Sequence, residues 1–441
     1  MNKTGRYVLY VSFVAAIGGL LFGFDTAVIA GAMRYLKDQF HLNSLQEGWA
    51  VSSALVGCIF GAMIAGPVSD RLGRKRFLLI SASLFLISAV GSAIPRTIDW
   101  FVVFRFIGGI GIGSASMLSP LYIAEVSPAR IRGSLVSLNQ MAIVTGILLA
   151  YFANWALAGI GPSNWRWMFA SGALPSVIFI GLLLRVPESP RWLVKQNRIA
   201  EASDILTKIN GPRQAGIEIQ EIQQTIGMES GSLSQLFHPG LRKALVIGVS
   251  LAVLQQITGI NAVLYYAPRI FEHAGFGRSS AILQSAIVGM VNLLVTLAAL
   301  FLVDRVGRKR LLLLASSGMG LSLLLLGLAF YLNLFDGPWV LIFILLYIAF
   351  FALAMGPVVW VVLSEIFPTR IRGRAMSLAT VCLWAANFVV SLTFPILADR
   401  FNESFTFWIY ALMCGVTFVF VRRLLPETKG KSLEQIERDW L

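Results

Sequence analysis

Twelve stretches of this chain are apolar over about twenty residues or more, at 7–31, 47–68, 77–95, 100–120, 134–157, 167–186, 244–268, 280–303, 311–333, 338–364, 374–396 and 406–425. An α-helix rises about 1.5 Å per residue, so about twenty residues cross the roughly 30 Å hydrocarbon core of a bilayer. Composition agrees: 57% of the 441 residues are hydrophobic and only 13% are charged, against about 25% in soluble domains. That is too little charge to give several soluble domains a water-facing skin. The first stretch is longer than the apolar region of a secretory signal and contains Asp25, so it is expected to stay as a span.

The net charge of +14 suggests nucleic acid at first sight. With the N-terminus placed inside, however, 28 Lys and Arg fall on the inner side and 7 on the outer, and Arg105 lies within a span. The acidic residues divide into 14 inside, 7 outside and Asp25 within. The positive-inside rule therefore predicts both termini in the cytoplasm, and the excess charge is topology, with no nucleic-acid partner required. Cys58, Cys382 and Cys414 lie in apolar runs and read as small buried hydrophobes, while His41, His238 and His273 are far apart. Neither a disulfide framework nor a metal site is expected.

One long polar stretch, 187–243, separates six spans in 1–186 from six in 244–425, and 426–441 forms a tail. The halves repeat each other. Asp70-Arg71-Leu72-Gly73-Arg74-Lys75-Arg76 recurs 234 residues later as Asp304-Arg305-Val306-Gly307-Arg308-Lys309-Arg310. Glu125 and the Arg130-Ile131-Arg132-Gly133 run recur 240 residues later at Glu365 and Arg370-Ile371-Arg372-Gly373, and Pro187-Glu188 recurs 239 residues later at Pro426-Glu427. Three motifs in one order at nearly one offset indicate duplication. The fold class expected is all-α integral membrane, with 12 transmembrane helices in two pseudo-symmetric six-helix bundles. Parallel repeats with a substrate site between them describe transporters of the major facilitator type. Asp70, Arg71, Arg74, Glu125, Arg132, Glu188 and Arg191, with Asp304, Arg305, Arg308, Glu365, Arg372 and Glu427, are expected to form inter-helix ion pairs that hold the inner side shut.

The paired Asp-Arg-x-Gly-Arg-Lys runs, Pro187-Glu188-Ser189-Pro190-Arg191-Trp192 and Pro426-Glu427-Thr428-Lys429-Gly430 together resemble the sugar porter family over nearly the whole chain. That family includes bacterial proton-coupled pentose and hexose symporters and animal glucose facilitators. The resemblance implies a monosaccharide and protons as partners, the proton gradient in place of any cofactor, and a multi-pass plasma membrane protein, bacterial and working alone.

Asp25 and Arg105 are the two charges well inside spans, where an unpaired charge is costly and marks function. Counted from the span ends, Asp25 lies about 27 Å from the inner side and Arg105 about 8 Å from the outer, so both fall in the outer third and are expected to face each other. A neighbouring guanidinium favours the carboxylate and burial favours the protonated acid, so small changes in distance or hydration can switch proton occupancy. By resemblance, proton-coupled sugar porters carry Asp at this first-span position and animal facilitators typically Asn. The glycines at 108, 109, 111 and 113 allow close helix approach.

A neutral polyol needs desolvated amides and aromatic faces to bind it. Span seven carries Gln255, Gln256, Thr258, Gly259, Asn261, Tyr265 and Tyr266, a run that looks like the family's sugar-binding motif. The same resemblance implies Gln140, Asn292, Gly356, Trp360, Trp384 and Asn387 as substrate contacts, and Tyr265 and Tyr266 as the outer gate. Bacterial xylose symporters of the family have Gln where this chain has Leu383, which removes one hydroxyl contact. Gly259 and Gly356-Pro357 offer points for helices to bend. An enzyme is not expected, since the spans hold no Ser/His/Asp or zinc constellation. Gly430-Lys431-Ser432 is not a phosphate loop, because Leu425 stands at the place of its first glycine. A facilitative uniporter, which the role of Asp25 would discriminate, and a sugar sensor are the alternative readings.

Overall fold

The computed structural model describes residues 3–128, 131–228, 239–335, 337–367 and 372–429. Among the described residues twelve helical stretches are long and apolar enough to cross a membrane: Gly5–Phe40, Ser44–Leu72, Arg74–Ala93, Ile98–Glu125, Arg132–Leu157, Asn164–Leu183, Arg242–His273, Ser279–Val303, Arg308–Tyr331, Trp339–Ile366, Gly373–Phe401 and Glu403–Leu424. They are called the first to twelfth spans below. The chain is therefore an all-helical twelve-span protein, and its spans follow the apolar stretches in order. Helix ends often overrun those stretches, because caps rather than hydropathy stop a helix. The second span, for example, begins where the Asn43 side chain accepts the amide of Gln46 and the Gln46 side chain accepts the amide of Asn43.

The pairing of helices repeats with a period of six spans. The first packs on the fifth and the second on the fourth, as the seventh packs on the eleventh and the eighth on the tenth. The third packs on the fourth and sixth, as the ninth packs on the tenth and twelfth. Across the two sets, the second meets the eleventh, the fifth meets the eighth, and the first meets the upper part of the seventh. Close approach depends on glycine. A Cβ on Gly109 would stand 1.9 Å from the Ala54 carbonyl, and one on Gly113 would stand 2.1 Å from that of Cys58, so the second and fourth spans touch backbone to backbone there.

Two spans are broken at the expected places. The seventh is two helices, Pro239–Ile257 and Ile260–His273, joined at Gly259 with φ 92°. The tenth runs as Trp339–Phe350, a π-helical turn Phe351–Met355 and Pro357–Ile366. Pro357 has no amide to donate, and the chain widens by one residue before it, the Gly356 amide reaching the Phe351 carbonyl at 3.0 Å. The breaks serve each other. The Tyr347 hydroxyl of the tenth span donates to the Thr258 carbonyl at 3.0 Å, and the Gln255 amide of the seventh donates to the Met355 carbonyl at 2.5 Å. In a lipid-bounded bundle such freed carbonyls need a partner from a neighbouring helix.

Gly259 cannot be replaced cheaply: its φ lies in the left-handed region, and an added Cβ would stand 2.7 Å from the Tyr410 ring. Gly259→Ala is expected to destabilise the fold by about 1–3 kcal/mol, read as a lowered melting temperature in detergent; an unchanged melting temperature would contradict this account of the break.

Candidate functional site

Asp25 and Arg105 meet. Arg105 Nη1 donates to Asp25 Oδ2 at 2.8 Å and Nη2 to the Asp25 backbone carbonyl at 3.1 Å, and the Arg105 side chain is 1% exposed. The guanidinium also sits 5.4 Å from the centroid of the Phe169 ring. The ion pair joins the first and fourth spans, which pack directly, and a buried pair of this kind persists only with good geometry on both partners.

Toward the centre, the amides of the seventh span form a chain. Asn261 Nδ2 donates to Gln256 Oε1 at 2.6 Å, Gln256 Nε2 to Gln255 Oε1 at 3.0 Å, and Gln255 onward to the carbonyl of Met355. Gly356, buried beside that carbonyl, accepts a longer bond from the same Gln255 amide at 3.4 Å. Asn387 of the eleventh span donates to the Tyr265 hydroxyl at 3.5 Å and accepts from Ser391 at 3.0 Å. Trp384 stands 5.4 Å from Phe22 of the first span, its indole Nε1 buried with no hydrogen-bond partner. Gln140 and Trp360 are half-buried and Asn292 is buried; these three do not join the network. The centre thus presents amides, an unpartnered indole N–H and aromatic faces, the donor and acceptor set that a neutral polyhydroxy ligand requires.

Tyr265 and Tyr266 lie just past this centre, toward the end remote from the termini, and both are buried. The Tyr266 hydroxyl donates to the Ser391 carbonyl at 2.9 Å and its ring stacks on Phe394. Beside them, Tyr151 of the fifth span donates to the Leu264 carbonyl at 2.6 Å, stapling the first six spans to the last six. A charge network closes the same end. Arg269 of the seventh span pairs with Glu47 of the second at 2.8 Å and with Asp399 of the eleventh at 2.5 Å. Glu47, whose side chain is 2% exposed, also takes Lys37 at 2.8 Å, and Ser44 bonds Asp399. The cavity left there is about 40 Å³, room for only about three waters.

At the end where the termini lie, the repeated motifs converge into two matching clusters. Arg74 reaches Glu125 at 3.1 Å and Asp70 at 2.9 Å, while Glu188 accepts the backbone amides of Arg74 and Lys75 at 2.9 and 3.0 Å. In the second cluster Arg308 reaches Glu365 at 2.8 Å, while Glu427 accepts the amides of Arg308 and Lys309 at 3.0 and 3.1 Å. Each glutamate thus caps the N-terminus of a span, where a negative charge meets the helix dipole. It does so against Gly73 or Gly307, with φ 96° and 99°; a Cβ at either position would strike the carboxylate. Each cluster ties helices of one half only. Arg132 donates to the Ser127 carbonyl at 3.4 Å, Arg71 and Arg305 are exposed, and Arg191 lies at the start of the short helix Pro190–Lys195. The side chains of Asp304 and Arg372 lie outside the described residues. Among those described, no ion pair at this end joins the two halves; the cross-half ion pairs lie at the opposite end.

With this geometry in hand, comparison with known proteins is direct. The family model described as "Sugar (and other) transporter" matches residues 11–440. The chain belongs to this sugar transporter family. It is 45% identical to an arabinose-proton symporter of Bacillus subtilis, over 99% of this chain and 95% of that protein. It is 43% identical to a D-xylose-proton symporter of Escherichia coli, over 98% and 96%. A partially occluded inward-open structure of the xylose transporter XylE from E. coli superposes with a TM-score of 0.88 at 42% identity, covering 97% of this chain and all of that one. Being a transporter of this family, the chain is a multi-pass membrane protein and not an enzyme.

Two parts of this sugar transporter escaped sequence reading. Glu47, Arg269 and Asp399 were counted only as outer-side charges, because a charge at a helix end is ordinary and its partner across the bundle leaves no trace in the chain. Tyr151 and Tyr347 were likewise hidden in apolar runs. The motif clusters carry a testable consequence. Replacing Glu125 by Ala leaves the Arg74 guanidinium, only 9% exposed, without its main partner. The expected loss is on the order of 3–5 kcal/mol, measured as detergent unfolding free energy; a loss below 1 kcal/mol would show that the cluster does not hold the half together.

Proposed function

We propose that the protein carries a monosaccharide together with a proton by alternating access, with Asp25 as the proton site and the amide and aromatic cluster around Gln255, Gln256, Asn261, Trp384 and Asn387 as the sugar site. The observation that carries this reading is the buried Asp25–Arg105 pair, 2.8 Å apart. Arg105 and a proton compete to neutralise the same carboxylate, so occupancy by one displaces the other. The similarity to arabinose- and xylose-proton symporters supports the same reading, with a monosaccharide as cargo; no cofactor is needed beyond the proton gradient.

The far end is closed by Arg269, Glu47, Asp399 and the two tyrosines, while at the other end the Arg74–Glu125 and Arg308–Glu365 pairs each stay within one half. Combined with the excess of Lys and Arg at the end bearing the termini, this supports reading the state as inward-facing, with the termini in the cytoplasm. The halves 1–186 and 244–425, joined by 187–243, act as the two rocking bodies. The opposite state requires the second and seventh spans to part, breaking the Arg269–Glu47 bond, with Gly259 and the π-helical turn before Pro357 as hinges. The terminal-end charges, Arg132, Arg191, Asp304 and Arg372 included, act as the inner gate, forming cross-half contacts only when that end closes.

One proton moving down 100 mV supplies about 2.3 kcal/mol, enough for about fiftyfold accumulation of a neutral sugar. Asp25→Asn in proteoliposomes is expected to abolish uphill accumulation while leaving sugar exchange largely intact. Proton-driven accumulation at the wild-type level in that variant would overturn the assignment.

A further inference from the structure

Resting on the proton-coupled reading above, we propose that Ser88 is the positioning residue that accepts the hydrogen bond of Asp25 when Asp25 carries the proton. Of the serines on the third span, Ser81 and Ser83 are satisfied on their own helix and Ser88 and Ser92 are not; of that second pair it is Ser88 that lies against Gly108 beside Asp25. Ser81 donates to the Phe77 carbonyl at 3.0 Å and Ser83 to the Leu79 carbonyl at 2.9 Å, the ordinary way a hydroxyl is satisfied one turn back on its own helix. Ser88 makes no such bond. It is 0% exposed, and its Oγ has no hydrogen-bond partner. A buried hydroxyl without a partner is costly, so a state of the protein that supplies one is favoured by it.

Gly108 of the fourth span shows where that hydroxyl points. A Cβ built on Gly108 would lie 2.2 Å from Ser88 Oγ and 3.6 Å from Asp25 Oδ2. Hydroxyl and carboxylate oxygen therefore lie within about 6 Å of each other, both beside a residue that carries no side chain to stand between them. Oδ2 is the same oxygen that Arg105 Nη1 now holds at 2.8 Å. Ser88 lies five residues from the end of its span at Ala93, about 8 Å in, and Arg105 lies seven residues from Ile98, about 10 Å in, so the two are at similar depths.

When a proton from the outer solution adds to Oδ2, an O–H bond forms there and no other bond changes; the carboxyl becomes a donor and loses its hold on Arg105. The guanidinium keeps the Asp25 backbone carbonyl at 3.1 Å and the Phe169 ring. The new O–H needs an acceptor, and Ser88 Oγ has lone pairs to offer. On release to the inner solution the proton leaves and Arg105 retakes Oδ2. The other titratable groups within electrostatic reach of Asp25 are Arg105 on the fourth span, Cys58 on the second and Tyr265 on the seventh. None of them is altered by changing Ser88.

The test is the pH profile of sugar uptake by Ser88→Ala in proteoliposomes, beside wild type and Ser88→Thr. Losing an acceptor that serves only the protonated state should raise the proton concentration needed for half-maximal uptake about tenfold. Exchange at saturating proton concentration stays as in wild type, and Ser88→Thr restores the profile. Gly108→Ala, which fills the gap from a different span, must shift the profile in the same direction and serves alone should Ser88→Ala fail to assemble. A wild-type profile in either variant overturns the proposal. If wild type itself shows no uphill accumulation, it is the proton-coupled reading that fails, a different outcome from a coupled protein indifferent to Ser88.

Discussion

The hydrocarbon core of a bilayer offers no hydrogen-bond partner, and every polar group in this chain is arranged around that fact. Most serines and threonines of the spans meet it locally, by donating to a carbonyl one turn back. Some of the groups that do not do so lie at the candidate site. Asp25 and Arg105 neutralise each other, and the carbonyls freed where the seventh and tenth spans break are taken by Gln255 and Tyr347. The Trp384 indole and Ser88 hydroxyl are buried without a partner, and the proposed cycle gives each one in another step.

Duplication gives the protein two copies of one helix-end device. In each half an arginine that begins a span after a glycine of positive φ pairs with a glutamate at the end of the next span. A second glutamate, arriving after six spans, caps the helix that the arginine begins. Since charge, cap and glycine all lie within one half, each cluster stabilises its half whichever way the transporter faces. The contacts that must differ between states are those across the halves, among them Arg269 with Glu47, Ser44 with Asp399 and Tyr151 with the Leu264 carbonyl.

The spans were legible because hydropathy over twenty residues has one physical meaning in a chain this poor in charge. The Asp25–Arg105 contact was legible from depth alone: two buried charges of opposite sign at one level have nowhere else to go. Breaks at Gly259 and Pro357 followed from glycine's freedom and proline's missing amide, but the π-helical turn before Pro357 did not, because its register depends on how Gly318 and Phe350 pack between the ninth and tenth spans. The motif charges were legible as a group, yet their partners were not. Sequence order cannot say whether a helix-end glutamate bonds within its half or across it, and the structure places Glu125 and Glu365 within. Gln140, Asn292 and Trp360 came from family likeness, and here they remain apart from the amide chain.

The proposed coupling rests on one carboxylate being shared between a guanidinium and a proton. The most direct measurement is proton movement driven by sugar alone: proteoliposomes with no imposed pH gradient or voltage are given xylose, arabinose or glucose outside, and the external pH is followed. The account predicts that a transported sugar alkalinises the outer medium as protons enter with it, in fixed ratio to sugar uptake. Sugar entry with no accompanying change in pH would contradict it.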